Sequence, residues 1–267
     1  MIEAPHVWLQ YQLDHNRDDD LNRWRGDIDS GDFKRWKQAL KSDDMSQIQS
    51  VLDQHGTSPE LSCTYMNPHN TTRWQQAVTL ITQHTRPGDV VVDIGAGSHA
   101  SVIMQLLTRA YNRHYVICDL TSPLLIAYYN LSREHRVKYV NLRDVMPGSG
   151  DLMRHVRTHD CVMVPHHLCD MLTELPRGTT FYNSYSFGEM SNHEVLNYMD
   201  IVASVRGRLI SENYYTRDPR RIFTTCHLCD QPVSPIQDMI PDTFRQTGEQ
   251  TPHVPTNTGA MITIHDS

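Results

Sequence analysis

The sequence predicts an α/β fold, in which a doubly wound and mostly parallel sheet follows an N-terminal helical subdomain. Three observations predict it. Residues 90–92 form a bare apolar run that leads through a glycine turn into an amphipathic segment, as expected of a strand buried on both faces and followed by a helix. Further apolar runs and helical patterns continue as far as residue 213. Residues 1–70 are instead polar and contain no strand-like run.

Length and charge limit the classes of protein to which the chain could belong. Its 267 residues can bury one sizeable core with an appended subdomain. With 24 Lys and Arg against 31 Asp and Glu, the formal charge of −7 provides no general field that would attract nucleic acid. There is no apolar run of about 18 residues and no N-terminal signal pattern, so we expect a cytoplasmic protein without membrane association. The six cysteines are expected to be reduced thiols.

The first 70 residues contain two apolar stripes at helical spacing, over 33–40 and 45–52. A further helix over 71–85 leads directly into the first strand. We therefore expect a helical subdomain over 1–70 and a sheet domain over 71–267. The subdomain would act as a lid or as an oligomerisation surface, which leaves a homo-oligomer among the open alternatives.

A glycine turn follows the first strand. Asp93 ends the strand, Gly95 and Gly97 form the turn, and Ser98 can cap the next helix. Glycines at this point let a ligand come close to backbone N–H groups at a helix N-terminus. The pattern is typical of a nucleotide-cofactor site. Because the glycine spacing also satisfies the relaxed dinucleotide fingerprint, the glycines alone leave NAD(P) as an alternative.

Two carboxylates distinguish between these cofactors. Asp93 lies two positions before the first glycine, where it would repel a pyrophosphate but would suit a cofactor with ammonium and sulfonium centres, such as S-adenosylmethionine. The second strand, 114–119, ends at Asp119, which lies 22 residues after Gly97. This is close to the spacing of about 20 at which an acid meets the ribose hydroxyls. We expect Asp119 and the adjacent Leu120 to contact the cofactor.

Polar residues also follow the third strand. The run 161–165 is a better candidate for this strand than the short run 137–140, and His166 and His167 come directly after it. This is the carboxyl end, where open α/β sheets place their ligands. A His-His pair also suits a metal ion, but no Glu-x-x-His or cysteine set completes it, so we predict no metal.

Two later strands extend the same rim of the sheet. Strand four begins at Thr179, and after it Ser191 and Glu194 form a capping box that opens a helix. Strand five covers 208–213, and a final strand over 259–264 suits an antiparallel edge. We expect the rim to carry the polar residues at the ends of strands four and five: Asn183, Ser184, Glu189, Glu212 and Asn213.

These segments resemble one family. Residues 183–190 (NSYSFGEM), a helix that carries Tyr198, and Glu212-Asn213 after a strand resemble the sugar O-methyltransferases, as does 124–131 (LLIAYYNL). The likeness covers about residues 88–215. The acid-x-Gly-x-Gly pattern resembles the first motif of the wider superfamily, the class I (Rossmann-like) S-adenosylmethionine-dependent methyltransferases.

The resemblance implies an enzyme that transfers a methyl group from S-adenosylmethionine to a sugar or a sugar-containing small metabolite. A sugar hydroxyl is a poor nucleophile at neutral pH, so it needs a base or a metal within reach. His167 and Glu189 are the predicted catalytic residues, and His166 and His193 lie near the same rim. We expect the cofactor to contact Asp93, Gly95, Gly97, Ser98, Asp119, Leu120, His166 and Asn183, and the acceptor to contact Ser184, Tyr185 and Asn213.

Three alternatives stay open at this point. The chain could methylate RNA, a peptide or another metabolite, although the net charge and the lack of an Asn/Asp-Pro-Pro-Tyr-type segment argue against nucleic acid. It could be a catalytically silent module that uses the fold for binding. A dehydrogenase is the third alternative. A small-molecule acceptor is the expected partner in the favoured interpretation.

Overall fold

The computed structural model describes residues 68–96, 107–108, 111–120, 124, 127–128, 131, 135–140, 151–214, 234–250 and 260–267. The predictions for residues 1–67, and those for Gly97 and Ser98, lie outside these ranges, as does most of the helix predicted after the glycine turn.

One sheet organises the described part of the chain. It has eight strands in the order β3-β4-β2-β1-β5-β6-β8-β7. The strands are β1 (Val90–Ile94), β2 (His114–Asp119), β3 (Val137–Tyr139), β4 (Cys161–Pro165), β5 (Thr180–Ser184), β6 (Arg208–Tyr214), β7 (Arg245–Gln250) and β8 (Ala260–Asp266).

The winding of the sheet confirms the predicted fold class. Strands β4, β2, β1, β5 and β6 run parallel to one another, in the 3-2-1-4-5 order of a doubly wound sheet. The prediction that 161–165 is strand three of this winding is therefore confirmed, and β3 is an additional short strand outside it. Strand β8 pairs antiparallel with β6, as predicted, but the prediction that it forms the edge is wrong, because β7 pairs antiparallel with its other side. The strand order reverses between β1 and β5.

Four α-helices and two 3₁₀ helices have described bounds; the first α-helix precedes β1, and the others lie between strands along the sequence. Their bounds are α1 (Pro68–His84), α2 (Asp151–Thr158), α3 (Asn192–Ser204) and α4 (Ile236–Met239), with 3₁₀ helices at His166–Glu174 and Ser186–Glu189.

The central strands are buried on both faces, which explains their bare apolar sequences. Every residue of β1 and of β4 is buried. Alternate side chains of the parallel strands, such as Val92, Val116, Val162 and Phe181, join one core cluster with apolar residues of α2, α3 and the 3₁₀ helix after β4. Because this burial holds the strands in place, it also holds their carboxyl ends, which form the rim on which the candidate site lies.

Three features differ from the sequence prediction. Helix α1 begins at Pro68, three residues before the predicted start, because proline is well tolerated in the first turn of a helix. Strand β7 and the one-turn helix α4 were not predicted. Strand β7 has the polar sequence RQTGEQ, in which no apolar alternation marks a buried face. No helix in the described ranges is long and apolar enough to cross a membrane.

Candidate functional site

The carboxyl ends of the parallel strands bring most of the predicted site residues to one rim. In doubly wound sheets, ligands bind in the crevice outside these ends, where the strand order reverses. Gly97 and Ser98 lie outside the described residues, and Glu189 is described only as the last residue of a 3₁₀ helix, without its side chain. Asp93 lies within β1, one residue before its end, and the residues on this rim are Gly95, Asp119, Leu120, His166, His167, Asn183, Ser184, Tyr185 and Asn213.

Gly95 begins the turn after β1, and two constraints require a glycine there. Its φ of 66° lies in the left-handed region. A Cβ atom at this position would lie 2.1 Å from Oγ and 2.3 Å from Cβ of Ser186. The Gly95 N–H donates a hydrogen bond to the carbonyl oxygen of Cys118 (2.8 Å), which ties the turn to the end of β2. The turn is therefore closely packed against β2 and the segment after β5.

Asn183 joins the ends of three neighbouring strands. Its fully buried amide donates to the carbonyl oxygen of Ile94 (2.9 Å) and to Oγ of Ser186. Its own oxygen accepts a hydrogen bond from Nδ2 of Asn213 (2.8 Å), and that nitrogen also donates to Oγ of Ser211 (2.7 Å). The structure places Asn183 and Asn213 as buried supports of the rim. Their contacts with cofactor and acceptor stay predictions.

Asp93 is also buried, at 2% exposure. The hydroxyl of Tyr115, on β2, donates a hydrogen bond to Oδ2 of Asp93. Burial raises the pKa of Tyr115 well above its usual value, and the carboxylate of Asp93 raises it further, so the phenol stays protonated. Asp93 therefore lies inside the sheet, two residues before the turn.

Asp119 ends β2 and lies opposite Pro165 in the register of β2 and β4. It is 9% exposed, and its Oδ1 accepts a hydrogen bond from the N–H of Leu120 (2.6 Å). Leu120 is half-buried. This register places Asp119 beside the residue that precedes His166, so the ends of β2 and β4 form one continuous part of the rim.

His167 is held in its neutral form. Burial lowers its pKa to about 4, with a smaller contribution in the same direction from the neighbouring His166. Its Nδ1 atom is buried and has no hydrogen-bond partner among the described residues. At neutral pH the ring therefore keeps a lone pair that can accept a proton.

A second polar cluster lies at the ends of β5 and β6. Ser184 and Tyr182 both donate hydrogen bonds to Oε2 of Glu212, over 2.8 Å and 3.1 Å. The next residue, Tyr185, has a φ of 66°, which is an outlier for a bulky side chain, and its N–H donates to the carbonyl oxygen of Glu212 (2.8 Å). Strained backbone of this kind is concentrated at functional sites. This backbone conformation supports the prediction that Tyr185 contacts the methyl acceptor, which stays a prediction.

Several residues in these contacts were not predicted as site residues from the sequence. Tyr115 and Tyr182 lie within strands, where an aromatic residue is expected to pack in the core. Nothing in the sequence around Ser186 indicates that its hydroxyl lies against Gly95. Strand alternation could have indicated Tyr182, because it shares a face of β5 with Ser184 and lies two residues before it. Among the described residues, no group of three or more His, Cys, Asp or Glu could hold a metal ion.

No protein-family model matches the chain, and no curated protein matches it either. Among solved structures, it is similar to a proposed O-methyltransferase from Nostoc punctiforme, at 13% identity over 72% of this chain and 56% of that chain, with a TM-score of 0.44. It is also similar to the mitomycin 7-O-methyltransferase MmcR (13% identity, 99% and 69% of the two chains, TM-score 0.43). A third is MtNAS in complex with S-adenosylmethionine (14% identity, 87% and 76%, TM-score 0.42).

The chain spans about half the length of the solved chains that it matches first, at 56% and 43% of their residues. With identities of 10–14% and TM-scores below 0.5, these similarities do not establish an activity or a ligand for this chain.

The packing at Gly95 gives a first prediction. Gly95→Ala should lower the free energy of unfolding by the left-handed strain of about 1–2 kcal/mol and by a further 1–3 kcal/mol or so for the clash with Ser186. The matched control is Gly178→Ala, because Gly178 also has a positive φ (83°) but nothing within 4 Å of an added Cβ. Denaturant unfolding of both variants measures the difference.

The double variant Gly95→Ala/Ser186→Gly separates the two costs. Removing the Ser186 side chain should relieve part of the clash. The loss in the free energy of unfolding should therefore be smaller in the double variant than the sum of the losses in the two single variants. Equal costs for Gly95→Ala and Gly178→Ala would contradict the close packing described here.

The burial of His167 gives a second prediction. Its ring should titrate near pH 4 in the folded protein, against about 6.5 in the unfolded chain. Between these values the unfolded chain binds the extra proton, so this residue's contribution to stability falls as the pH drops from about 6.5 to about 4. NMR titration of the ring signals measures the pKa, and His167→Gln should unfold with a flatter pH dependence than the wild type. Titration near pH 6.5 would contradict the burial.

Proposed function

We propose that the chain is an S-adenosylmethionine-dependent methyltransferase. The observation that carries the proposal is the pairing of the Gly95 turn with the carboxylate of Asp119, at the place where a doubly wound sheet reverses its strand order. In doubly wound sheets the cofactor lies beside the turn that follows the first strand, and a carboxylate at the end of β2 can accept hydrogen bonds from both hydroxyls of a ribose.

The donor set of this rim suits the proposed cofactor. Asp119 would hold the ribose, and the half-buried Leu120 would cover the adenine beside it. Asp93 adds a buried negative charge two residues before the turn, which favours a cationic cofactor over a pyrophosphate. When bound, S-adenosylmethionine supplies a methyl group on a sulfonium, which is a good leaving group. The chain's own residues must then orient the acceptor and accept its proton.

The proposed acceptor is a sugar or a sugar-containing metabolite. The resemblance of residues 183–190 to the sugar O-methyltransferases supports this class. His167 and Glu189 are the proposed bases; the pKa of His167, about 4, leaves its ring unprotonated at neutral pH, and its buried Nδ1 has no hydrogen-bond partner among the described residues. Ser184 and Tyr185, fixed by their contacts with Glu212, are the proposed acceptor contacts.

Cofactor affinity gives the third prediction. Asp119→Asn keeps the shape of the side chain but removes its charge, at a cost of about 1.5–3 kcal/mol per charged hydrogen bond, or roughly 10- to 100-fold in Kd for S-adenosylmethionine. The matched control is Asp160→Asn, since Asp160 lies at the other end of β4, where it binds Arg136. Isothermal titration with S-adenosylmethionine, S-adenosylhomocysteine and NAD measures the affinities.

The outcome separates the competing functions. Binding of S-adenosylmethionine that Asp119→Asn weakens and Asp160→Asn leaves unchanged supports the proposal. Binding of NAD alone would favour a dehydrogenase, and binding of neither compound would favour a module that has lost the cofactor site.

Turnover gives the fourth prediction. His167→Gln should lower the rate by about 10²–10⁴-fold while leaving the affinity for S-adenosylmethionine unchanged, because the base acts only on the acceptor. The wild-type rate should rise with pH through about 4 and become flat above it, since the neutral ring is the active form. Methyl transfer from labelled S-adenosylmethionine into a panel of sugars and glycosides measures both. Full activity in a His167→Gln/Glu189→Gln variant would show that neither residue is the base.

A further inference from the structure

A chain of four side chains connects helix α3 to the carboxyl ends of β4 and β2. Oε1 of Glu194 lies 3.3 Å from Nε2 of His166. Nδ1 of His166 lies 2.8 Å from the hydroxyl of Tyr198, which in turn lies 3.2 Å from Sγ of Cys118. His166, Tyr198 and Cys118 are all buried, at 7%, 0% and 0% exposure. The four groups form one continuous polar path through an otherwise apolar core.

The protonation of these four side chains follows from the carboxylate of Glu194. Burial alone would raise the pKa of Glu194, but the hydrogen bond and charge of His166 and the N–H and hydroxyl of Ser191 outweigh it and lower the pKa. An ionised carboxylate only accepts hydrogen bonds, so Nε2 of His166 carries a proton that faces it. In the tautomer with the proton on Nε2, Nδ1 accepts a hydrogen bond from the hydroxyl of Tyr198, and the oxygen of Tyr198 can accept one from the thiol of Cys118.

The same glutamate also caps helix α3. Oε2 of Glu194 accepts a hydrogen bond from the N–H of Ser191 (2.8 Å), and Oγ of Ser191 accepts one from the N–H of Glu194 (3.2 Å). The capping box therefore uses one carboxylate oxygen for the helix and leaves the other for His166. A helix cap alone would need no second contact of this kind.

The positions of the four groups link the path to the proposed cofactor cleft. Cys118 immediately precedes Asp119, and its carbonyl oxygen accepts the hydrogen bond from Gly95. His166 immediately follows β4 and precedes His167. We propose that Glu194 is a positioning residue, which acts through His166, Tyr198 and Cys118 to hold the rim of β2 and β4 in the geometry that binds the cofactor. The affinity part of this proposal rests on the function proposed above.

Two variants separate this role from helix capping. Glu194→Gln keeps an oxygen that can accept the Ser191 N–H but removes the charge that faces His166. Ser191→Ala removes one hydrogen bond of the capping box but leaves the contact between Glu194 and His166 intact. Both variants should lower the melting temperature. Only Glu194→Gln should weaken binding of S-adenosylmethionine, by about 3- to 30-fold, the range typical of mutations along such networks; Ser191→Ala should change it less than twofold.

The ring nitrogens of His166 provide a readout that a purely structural role would not change. In ¹⁵N NMR spectra of the free protein, Nε2 should carry the proton in the wild type and in Ser191→Ala. In Glu194→Gln the amide can also donate, so the tautomer with the proton on Nδ1 should become populated. Tyr198→Phe, which keeps the ring in the core but removes the hydroxyl, is a second variant and should also weaken cofactor binding.

The outcomes decide the two proposals separately. If Glu194→Gln and Tyr198→Phe bind S-adenosylmethionine as tightly as Ser191→Ala does, Glu194 is only a helix cap. Unchanged ring-nitrogen signals in Glu194→Gln would overturn the proposed path in the same way. If the wild type binds no S-adenosylmethionine, the proposed function fails, and the proposal for Glu194 stands or falls on the ring-nitrogen spectrum.

Discussion

The buried amide of Asn183 holds the place where the strand order reverses, and the rest of the candidate site depends on it. Its nitrogen donates to both the carbonyl oxygen of Ile94 and Oγ of Ser186, and this brings the next residue, Gly95, against Ser186. Its oxygen binds Asn213 on the next strand. Because water does not reach this amide, each of these hydrogen bonds acts in a low dielectric and strongly favours one arrangement of the three strand ends.

Strand alternation divides the polar residues of the rim between the two faces of the sheet. Asn183 and Asn213 share a face with the main core, whereas the neighbouring residues Ser184 and Glu212 point to the opposite face. Each face therefore has its own hydrogen-bond network, and both networks lie at the carboxyl ends of β5 and β6. A site supported from both sides of a rigid sheet can hold its groups within the narrow tolerances that binding and catalysis require.

The sequence was most informative where burial leaves a periodic signal. The bare apolar runs located the central strands, and the capping box at Ser191 located the start of helix α3. It was least informative where a contact joins distant segments, because neither spacing nor composition records which side chains meet. The approach of Ser186 to Gly95 and the path from Glu194 to Cys118 both depend on tertiary packing. The polar strand β7 was missed because its exposed residues show no alternation.

The polar sequence of strand β7 also affects whether another protein chain can pair with this edge of the sheet. Among the described strands, β7 lies at one end of the sheet order, and it carries exposed polar or charged residues such as Arg245, Gln246, Thr247 and Glu249. A register shift between Gln246 and Gly248 further breaks the regular ladder. An edge of this kind is a poor template for another chain's strand, because an incoming β-strand would have to bury charges and follow an irregular backbone. The polar sequence of β7, which shows no apolar alternation, thus protects this edge of the sheet against edge-to-edge aggregation.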